Sequence, residues 1–211
     1  MYDKIYCINL DKRTDRWTEF QRDVLEGLEL DKGKFERISA IDTCMLDFEY
    51  SGAIGCSLSH LKIWKDMIDN GYDSVLIFED DFKPLKSAKE FKYIMSELYK
   101  NHPNFTVCCL GWHSKDYSVF FNRDDIFSFA NGIASTSSYI ISQKQAKLMY
   151  NTVVLGILEM FHKGTPAVEF NSIDFIWKDF QSHQWLLVRD RVGVQRNGYS
   201  DIAAYGGQYD E

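Results

Sequence analysis

The sequence predicts an α/β fold, and three observations carry that reading. Val75-Leu76-Ile77-Phe78 is a short unbroken apolar run, the pattern of a strand buried on both faces. It runs straight into Glu79-Asp80-Asp81, so the acids stand at the carboxyl end of the strand or in the first turn beyond it, where open α/β sheets place their ligands. Before and after this run, strand-like segments alternate with segments of helical period. Three adjacent carboxylates repel one another, and burying them unpartnered costs more still. A hard divalent cation, Mn²⁺ or Mg²⁺, is the simplest compensation, because both take oxygen ligands. A polar turn after a core strand is the other reading of the same spacing.

Residues 4–10, KIYCINL, are the first predicted strand, with the polar Asn9 near its end. Residues 11–16 are a dense charged connection in which Thr14 or Asp15 caps the next helix. Trp17, Phe20, Val24 and Leu28 then recur at helical spacing. Arg13 and Arg16 sit where a phosphate-bearing ligand would meet the strand end, and a planar guanidinium suits phosphate oxygens. A solvated charged turn has the same spacing. No glycine-rich fingerprint accompanies this turn, which argues against a dinucleotide site or a P-loop. Residues 35–41 read as a second strand and the stretch to Gly52 as a loop. Gly52 opens a helix with the stripe Ile54, Leu58, Leu61, Trp64 and Ile68, ending at Asn70-Gly71. Small residues near its start, Gly55 and Ser59 among them, permit close backbone approach, and amides at a helix start favour an anion. His60, one turn after Cys56, is either a satisfied structural side chain or a ligand-contacting or orienting group.

Pro84 biases Lys83 away from helix and holds the acidic run between a strand and a constrained turn. Residues 87–99 read as a helix and 105–112 as a buried strand. Residues 117–121 and 126–130 read as a hairpin around Asn122-Arg123-Asp124-Asp125. A strand at 137–142 leads into a helix over 143–161, with Gly156 as its weak point. Asp174 stands among apolar residues and needs a partner, a role in a site or a place as a helix cap. Residues 185–188 are a last short strand, 195–202 a polar segment and 205–211 a flexible tail.

The 211 residues and the 45% hydrophobic fraction suit one domain, residues 1–211, with its own core. A net charge of -7 argues against nonspecific nucleic-acid binding, while a bound metal leaves room for an anionic ligand. No signal segment precedes the first strand, and no apolar run approaches the roughly 18 residues of a transmembrane helix. The five cysteines are odd in number, several lie in apolar runs, and no pair has zinc-site spacing. They read as reduced core cysteines of a cytoplasmic protein.

The stretches YCINLDKRTDR at 6–16, GAIGCSLSHLKIW at 52–64, VLIFEDDF at 75–82, SSYIISQKQAKLM at 137–149, IDF around Asp174 and GYSDI at 198–202 occur in one order along nearly the whole chain. Together they resemble glycosyltransferase family 25, which includes lipooligosaccharide galactosyltransferases and the domains that galactosylate hydroxylysine in collagen. The resemblance implies a GT-A type, Rossmann-like α/β/α sandwich with a mostly parallel central sheet. It implies metal-dependent, inverting transfer of a hexose, galactose before glucose, from a UDP-sugar to a hydroxyl of a glycan, glycolipid or protein-linked acceptor. Glu79-Asp80-Asp81 then occupies the place of the metal motif. Asp81 is the implied ligand of Mn²⁺ or Mg²⁺. Glu79 reaches the metal through water or holds sugar or ribose hydroxyls, and Asp80 belongs to the nucleotide-sugar site. Asn9, Arg13 and Arg16 match the nucleotide side, and Gly55, Ser59 and His60 line the pocket. One-step inversion needs a carboxylate to accept the acceptor's proton. Asp174 is the first choice and Asp201 the second, the latter alternatively completing the metal or acceptor site. Residues 1–100 then serve mainly the nucleotide sugar and 101–204 mainly the acceptor.

Two departures from the family pattern matter. The tail Gln208-Tyr209-Asp210-Glu211 has no basic cluster, which weakens the case for a lipid-anchored acceptor and leaves only peripheral membrane contact. The collagen enzymes are longer chains of the secretory pathway, so a stand-alone intracellular transferase is expected. The competing readings are a metal-dependent phosphohydrolase and a noncatalytic sugar-nucleotide or glycan-binding protein.

Overall fold

The computed structural model describes residues 1–46, 51–113, 122–200 and 205–207. The chain opens with β1 (Lys4–Asn9) and α1 (Thr14–Phe20), which continues through a π-helical turn (Gln21–Glu26). There follow β2 (Phe35–Ser39), α2 (Ser51–Asn70), β3 (Ser74–Glu79), β4 (Phe82–Pro84) and α3 (Ala88–Asn101). Next come β5 (Val107–His113), β6 (Phe127–Phe129), β7 (Ala134–Ser142) and α4 (Gln143–Lys163). Two short helices, α5 (Thr165–Asn171) and α6 (Ile173–Ile176), lead through a 3-10 turn to β8 (Trp185–Val188). The last strands are β9 (Gly193–Gln195), β10 (Gly198–Ser200) and β11 (Tyr205–Gly207).

The central sheet has seven strands in the order β2-β1-β3-β7-β5-β8-β6. β1 is parallel to β2 and β3, and β5 is parallel to β8, while β7 and β6 run against their neighbours. The sheet is therefore mostly parallel, as the family resemblance implies. Side-chain alternation explains the unbroken apolar runs. Tyr6, Ile8, Val75, Ile77, Val107 and Cys109 face one core, built with Trp64 of α2, Met149 of α4 and Trp177. Ile5, Cys7, Leu76, Phe78, Cys108 and Leu110 face the other, with Phe20 of α1 and Phe91 of α3. The result is a helix–sheet–helix sandwich with a core on each face.

Several local expectations change on the structure. The chain enters α1 through Arg13 with no side-chain cap, so neither Thr14 nor Asp15 caps it. α3 does have a capping box: Ser87 Oγ accepts from the Glu90 amide, and the Ser87 amide donates to Glu90 Oε2 at 2.8 Å. Residues 126–130 do supply a strand, but the ladder partner of β6 is β8, and the expected hairpin partner 117–121 lies outside the described residues. Tyr205–Gly207, read from sequence as part of the tail, pairs antiparallel with Gly198–Ser200. No helix among the described residues is long and apolar enough to cross a membrane.

α4 runs unbroken through Gly156, where α6 and the end of α5 press against it. A Cβ there would lie 2.4 Å from Ile176 Cδ1 and 2.9 Å from the Asn171 carbonyl oxygen. Helix propensity alone makes alanine about 1 kcal/mol better than glycine in a helix interior. We expect Gly156→Ala to destabilise the protein instead, by about 1–3 kcal/mol, as overpacking does. A lower urea midpoint with an unchanged slope is the expected result, and a raised midpoint would show that the contact yields freely.

Candidate active site

Strand alternation also sorts the three acids. Glu79 continues the Val75 and Ile77 side of β3 and so points toward α2, whereas Asp80 and Asp81 occupy the turn before β4 and meet α1. Glu79 Oε1 accepts from Thr136 Oγ1 of β7 at 2.5 Å and lies 3.1 Å from His60 Nε2. Cys56 Sγ is 4.0 Å from the same oxygen. The other nitrogen of His60 sits 2.8 Å from the Tyr139 hydroxyl, which also accepts from Trp64 Nε1 at 3.1 Å. One proton arrangement satisfies every member of this chain: Trp64 donates to Tyr139, Tyr139 to His60 Nδ1, and His60 Nε2–H to Glu79. Burial alone would raise the Glu79 carboxyl, but the His60 hydrogen bond, Thr136 and Arg16 outweigh it and hold Glu79 below the ordinary range.

Asp80 and Asp81 share the Arg16 guanidinium, at 3.0 and 3.3 Å. Asn9 Nδ2 donates to Asp80 Oδ2 at 2.6 Å, and its own carbonyl accepts from Arg37 at 2.6 and 2.8 Å. Gln195 Nε2 of β9 donates to Asp81 Oδ2 at 3.0 Å, and the Arg196 amide donates to the Asp81 carbonyl at 2.7 Å. The second Asp81 oxygen, Oδ1, is buried with no hydrogen-bond partner among the described residues. Desolvation and the nearby Glu79 carboxylate push the Asp81 carboxyl up to about 7. Asp80 is raised in the same way, first by burial, with Arg16 and Asn9 opposing. The site is thus short of positive charge. An oxygen-only donor group with one orphaned buried oxygen is what a hard divalent cation would satisfy.

The structure brings Asn9, Arg16, His60, Glu79, Asp80 and Asp81 to one edge of the sheet, at the carboxyl ends of β1 and β3. Arg13 pairs with Asp15 at 2.8 Å. Ser59 Oγ accepts from the Ile41 amide and donates to the Gly55 carbonyl, and a Cβ on Gly55 would lie 2.3 Å from the Ile41 oxygen. These two residues hold α2 against the segment that follows β2. Asp174 lies in the first turn of α6, accepts from Ser172 Oγ at 3.0 Å, and is raised first by burial, with the Glu79 charge adding to the rise. Asp201 lies outside the described residues. Sequence reasoning missed Thr136, Tyr139, Gln195 and Arg37. Thr136 stands 57 residues from Glu79 and Gln195 stands 114 from Asp81, and no local pattern links them.

The mostly parallel α/β sandwich with a carboxylate cluster at the carboxyl edge of its sheet matches the GT-A type fold that the resemblance implies. Residues 50–157 match the profile of Glycosyltransferase family 25 (LPS biosynthesis protein), and the chain belongs to that family. The match takes in α2, the acidic run, β7 and most of α4. Procollagen galactosyltransferase 2 of Homo sapiens is 30% identical over 118 residues, 47% of this chain and 18% of that protein. Procollagen galactosyltransferase 1 of Danio rerio is 29% identical over 129 residues, 52% of this chain and 21% of that protein. The chain thus spans about a fifth of the length of these relatives. A solved glycosyltransferase involved in the glycosylation of the major capsid of PBCV-1 superposes with a TM-score of 0.56, covering 94% of both chains at 11% identity, a likeness of fold.

The Asp81 shift has a testable sign. An unfolded aspartate titrates near about 3.9. The folded value lies above it, so this group's contribution to stability is fully present below about pH 4 and is lost as pH rises through about 7. Without divalent ions, the melting temperature is expected to fall between about pH 4 and 7 and to level off above that, and Asp81→Asn is expected to flatten that fall. Equal slopes in the two proteins would remove Asp81 as its source.

Proposed function

We propose that this protein transfers a hexose from a UDP-sugar to a hydroxyl of a glycan, glycolipid or protein-linked acceptor, with inversion at the sugar and with dependence on Mn²⁺ or Mg²⁺. The observation that carries the reading is the buried Oδ1 of Asp81, which has no hydrogen-bond partner among the described residues, at the carboxyl edge of the sheet where the Arg16 guanidinium faces the aspartate pair. Galactose is the first choice of sugar, because the relatives named above are galactosyltransferases.

Asp81 would hold the cation directly, and Glu79 would reach it with Oε2 or through a water. The bound ion supplies neutralisation of the diphosphate leaving group. The rest falls to the chain's own residues. Arg16 opposes the upward shift of both Asp80 and Asp81 and offers positive charge to the nucleotide side. Asn9, fixed by Arg37, sets the angle of Asp80. The Trp64–Tyr139–His60 chain sets the angle of Glu79, so its remaining oxygen is presented in one orientation. Asp174 takes the proton of the acceptor hydroxyl. Its burial, with the Glu79 charge adding to it, raises its proton affinity, as that task requires, and Ser172 orients it. On this reading the edge of β1 to β3 serves the donor, and α5, α6 and the strands beyond serve the acceptor.

Calorimetry with UDP-galactose, UDP-glucose, their N-acetyl forms and GDP-sugars, each with and without Mn²⁺, tests the donor. Binding of one UDP-sugar that needs Mn²⁺ and is lost in Asp81→Asn is the expected result. Failure of every sugar nucleotide to bind would sink the catalytic reading and leave a glycan-binding protein. Asp174→Asn is expected to bind donor as the parent does and to lose about 10²–10⁴-fold in kcat. A matching loss of donor affinity would instead place Asp174 in the donor site.

A further inference from the structure

We propose that Cys56, His60 and Glu79 form a cation site of their own, one that takes zinc-class ions in preference to manganese or magnesium. Cys56 and His60 are four residues apart on α2 and project from one face of it, and Glu79 reaches them from the end of β3. Cys56 Sγ, a His60 nitrogen and a Glu79 oxygen all lie within 4.8 Å of one another. Tetrahedral zinc with bonds of about 2.0–2.3 Å separates such atoms by about 3.4–3.6 Å. Two of the separations, 3.1 Å for His60 to Glu79 and 4.0 Å for Cys56 to Glu79, already lie within about half an ångström of that range.

Three further features support a ligand role. First, Cys56 Sγ faces Glu79 Oε1 at 4.0 Å, the far limit for a thiol donor, so the sulfur is turned toward the cluster without a close hydrogen bond to that oxygen. Second, His60 has the orienting partner that metal-bound histidines have, a side-chain oxygen on the far ring nitrogen, and Trp64 fixes that oxygen in turn. Third, the donor set mixes sulfur, nitrogen and oxygen, whereas the neighbouring Asp80 and Asp81 offer oxygen alone. Sulfur and imidazole select zinc, and carboxylates select magnesium and manganese. Binding releases the Cys56 thiol proton to solvent. It also moves the His60 proton from Nε2 to Nδ1, and the Tyr139 O–H turns away from the ring so that its oxygen accepts from Nδ1–H. A water completes the tetrahedron. An ion held there takes Glu79 Oε1 away from Thr136 and His60, and so alters the carboxylate that the proposed transfer reaction uses.

Cobalt(II) is the probe, because a thiolate ligand gives it a near-ultraviolet charge-transfer band. The full chain is titrated with Co²⁺ and then with Zn²⁺, so the readout does not depend on transferase activity. A band that zinc displaces is expected. It should be absent in Cys56→Ser and Cys56→Ala, both checked for folding by circular dichroism, and retained in Cys44→Ser, which removes an exposed thiol. Asp81→Asn should retain the band. Tyr139→Phe should retain it with about 10–100-fold weaker affinity. No band, a band that survives the loss of Cys56, or a band lost as fully in Asp81→Asn as in Cys56→Ser would each overturn the proposal. Loss of donor binding with the cobalt band intact would sink the transferase reading and leave this site standing.

Discussion

Everything at the functional edge answers to one electrostatic problem, three consecutive carboxylates at the end of a strand buried on both faces. An unpaired buried carboxylate costs several kcal/mol, so a fold that keeps this run must recruit donors to it. The donors come from every part of the chain. Asn9 arrives from β1, Arg16 from α1, His60 from α2, Thr136 from β7 and Gln195 from β9. The antiparallel pairing of β4 with β9 follows from the same need, since it carries Gln195 to Asp81. After all of these, Asp81 Oδ1 still lacks a partner among the described residues. The protein holds the acids in place without fully neutralising them, the condition that favours a cation.

Alternation along β3 divides the problem in two. Glu79 falls on the α2 face, where neutral donors and an imidazole meet it, and Asp80 and Asp81 fall beside α1, where a guanidinium does. A one-residue slip of β3 would exchange these environments and leave Glu79 beside Arg16 and the aspartates without donors. Register is held by parallel pairing with β1 on one side and antiparallel pairing with β7 on the other. The same β7 ladder delivers Tyr139 and Thr136, so the strand that fixes the register also supplies the groups that depend on it.

What was legible in the sequence was whatever local pattern encodes. The apolar run ending in acids marked the central strand and the site, and helical spacing found α1 to α4. Arg16, Asn9 and His60 were readable because each belongs to a motif beside a strand end or helix start. Gly55 and Ser59 were read as a place of close backbone approach, and close approach is what they provide, to the main chain at Ile41. The partner of β6 and the roles of Thr136 and Gln195 were not legible, because strand pairing across a sheet has no local signature. The metal-ligand geometry of Cys56 was hidden for the same reason, since its partner Glu79 lies on another element.

Backbone strain points to the same place as the electrostatics. Ser135, next to Thr136 on β7, has φ of 87°, in the left-handed region that a side chain enters at a cost on the order of 1–3 kcal/mol. Opposite it the β5 ladder shifts register between Cys109 and Gly111 and again between Gly111 and His113. A Cβ at Gly111 would lie 2.8 Å from Ser137 Oγ, so β5 approaches β7 closely there. Ser135 Oγ bonds the Ser137 hydroxyl at 3.1 Å and thereby braces the turn of the chain. A regular β7 would have a lower local energy, but its alternation would no longer be broken just before the residue that meets Glu79. The irregularity stands next to Thr136, which closes to 2.5 Å on Glu79, so the strained backbone bears on the orientation of that carboxylate as well as on the packing of the sheet.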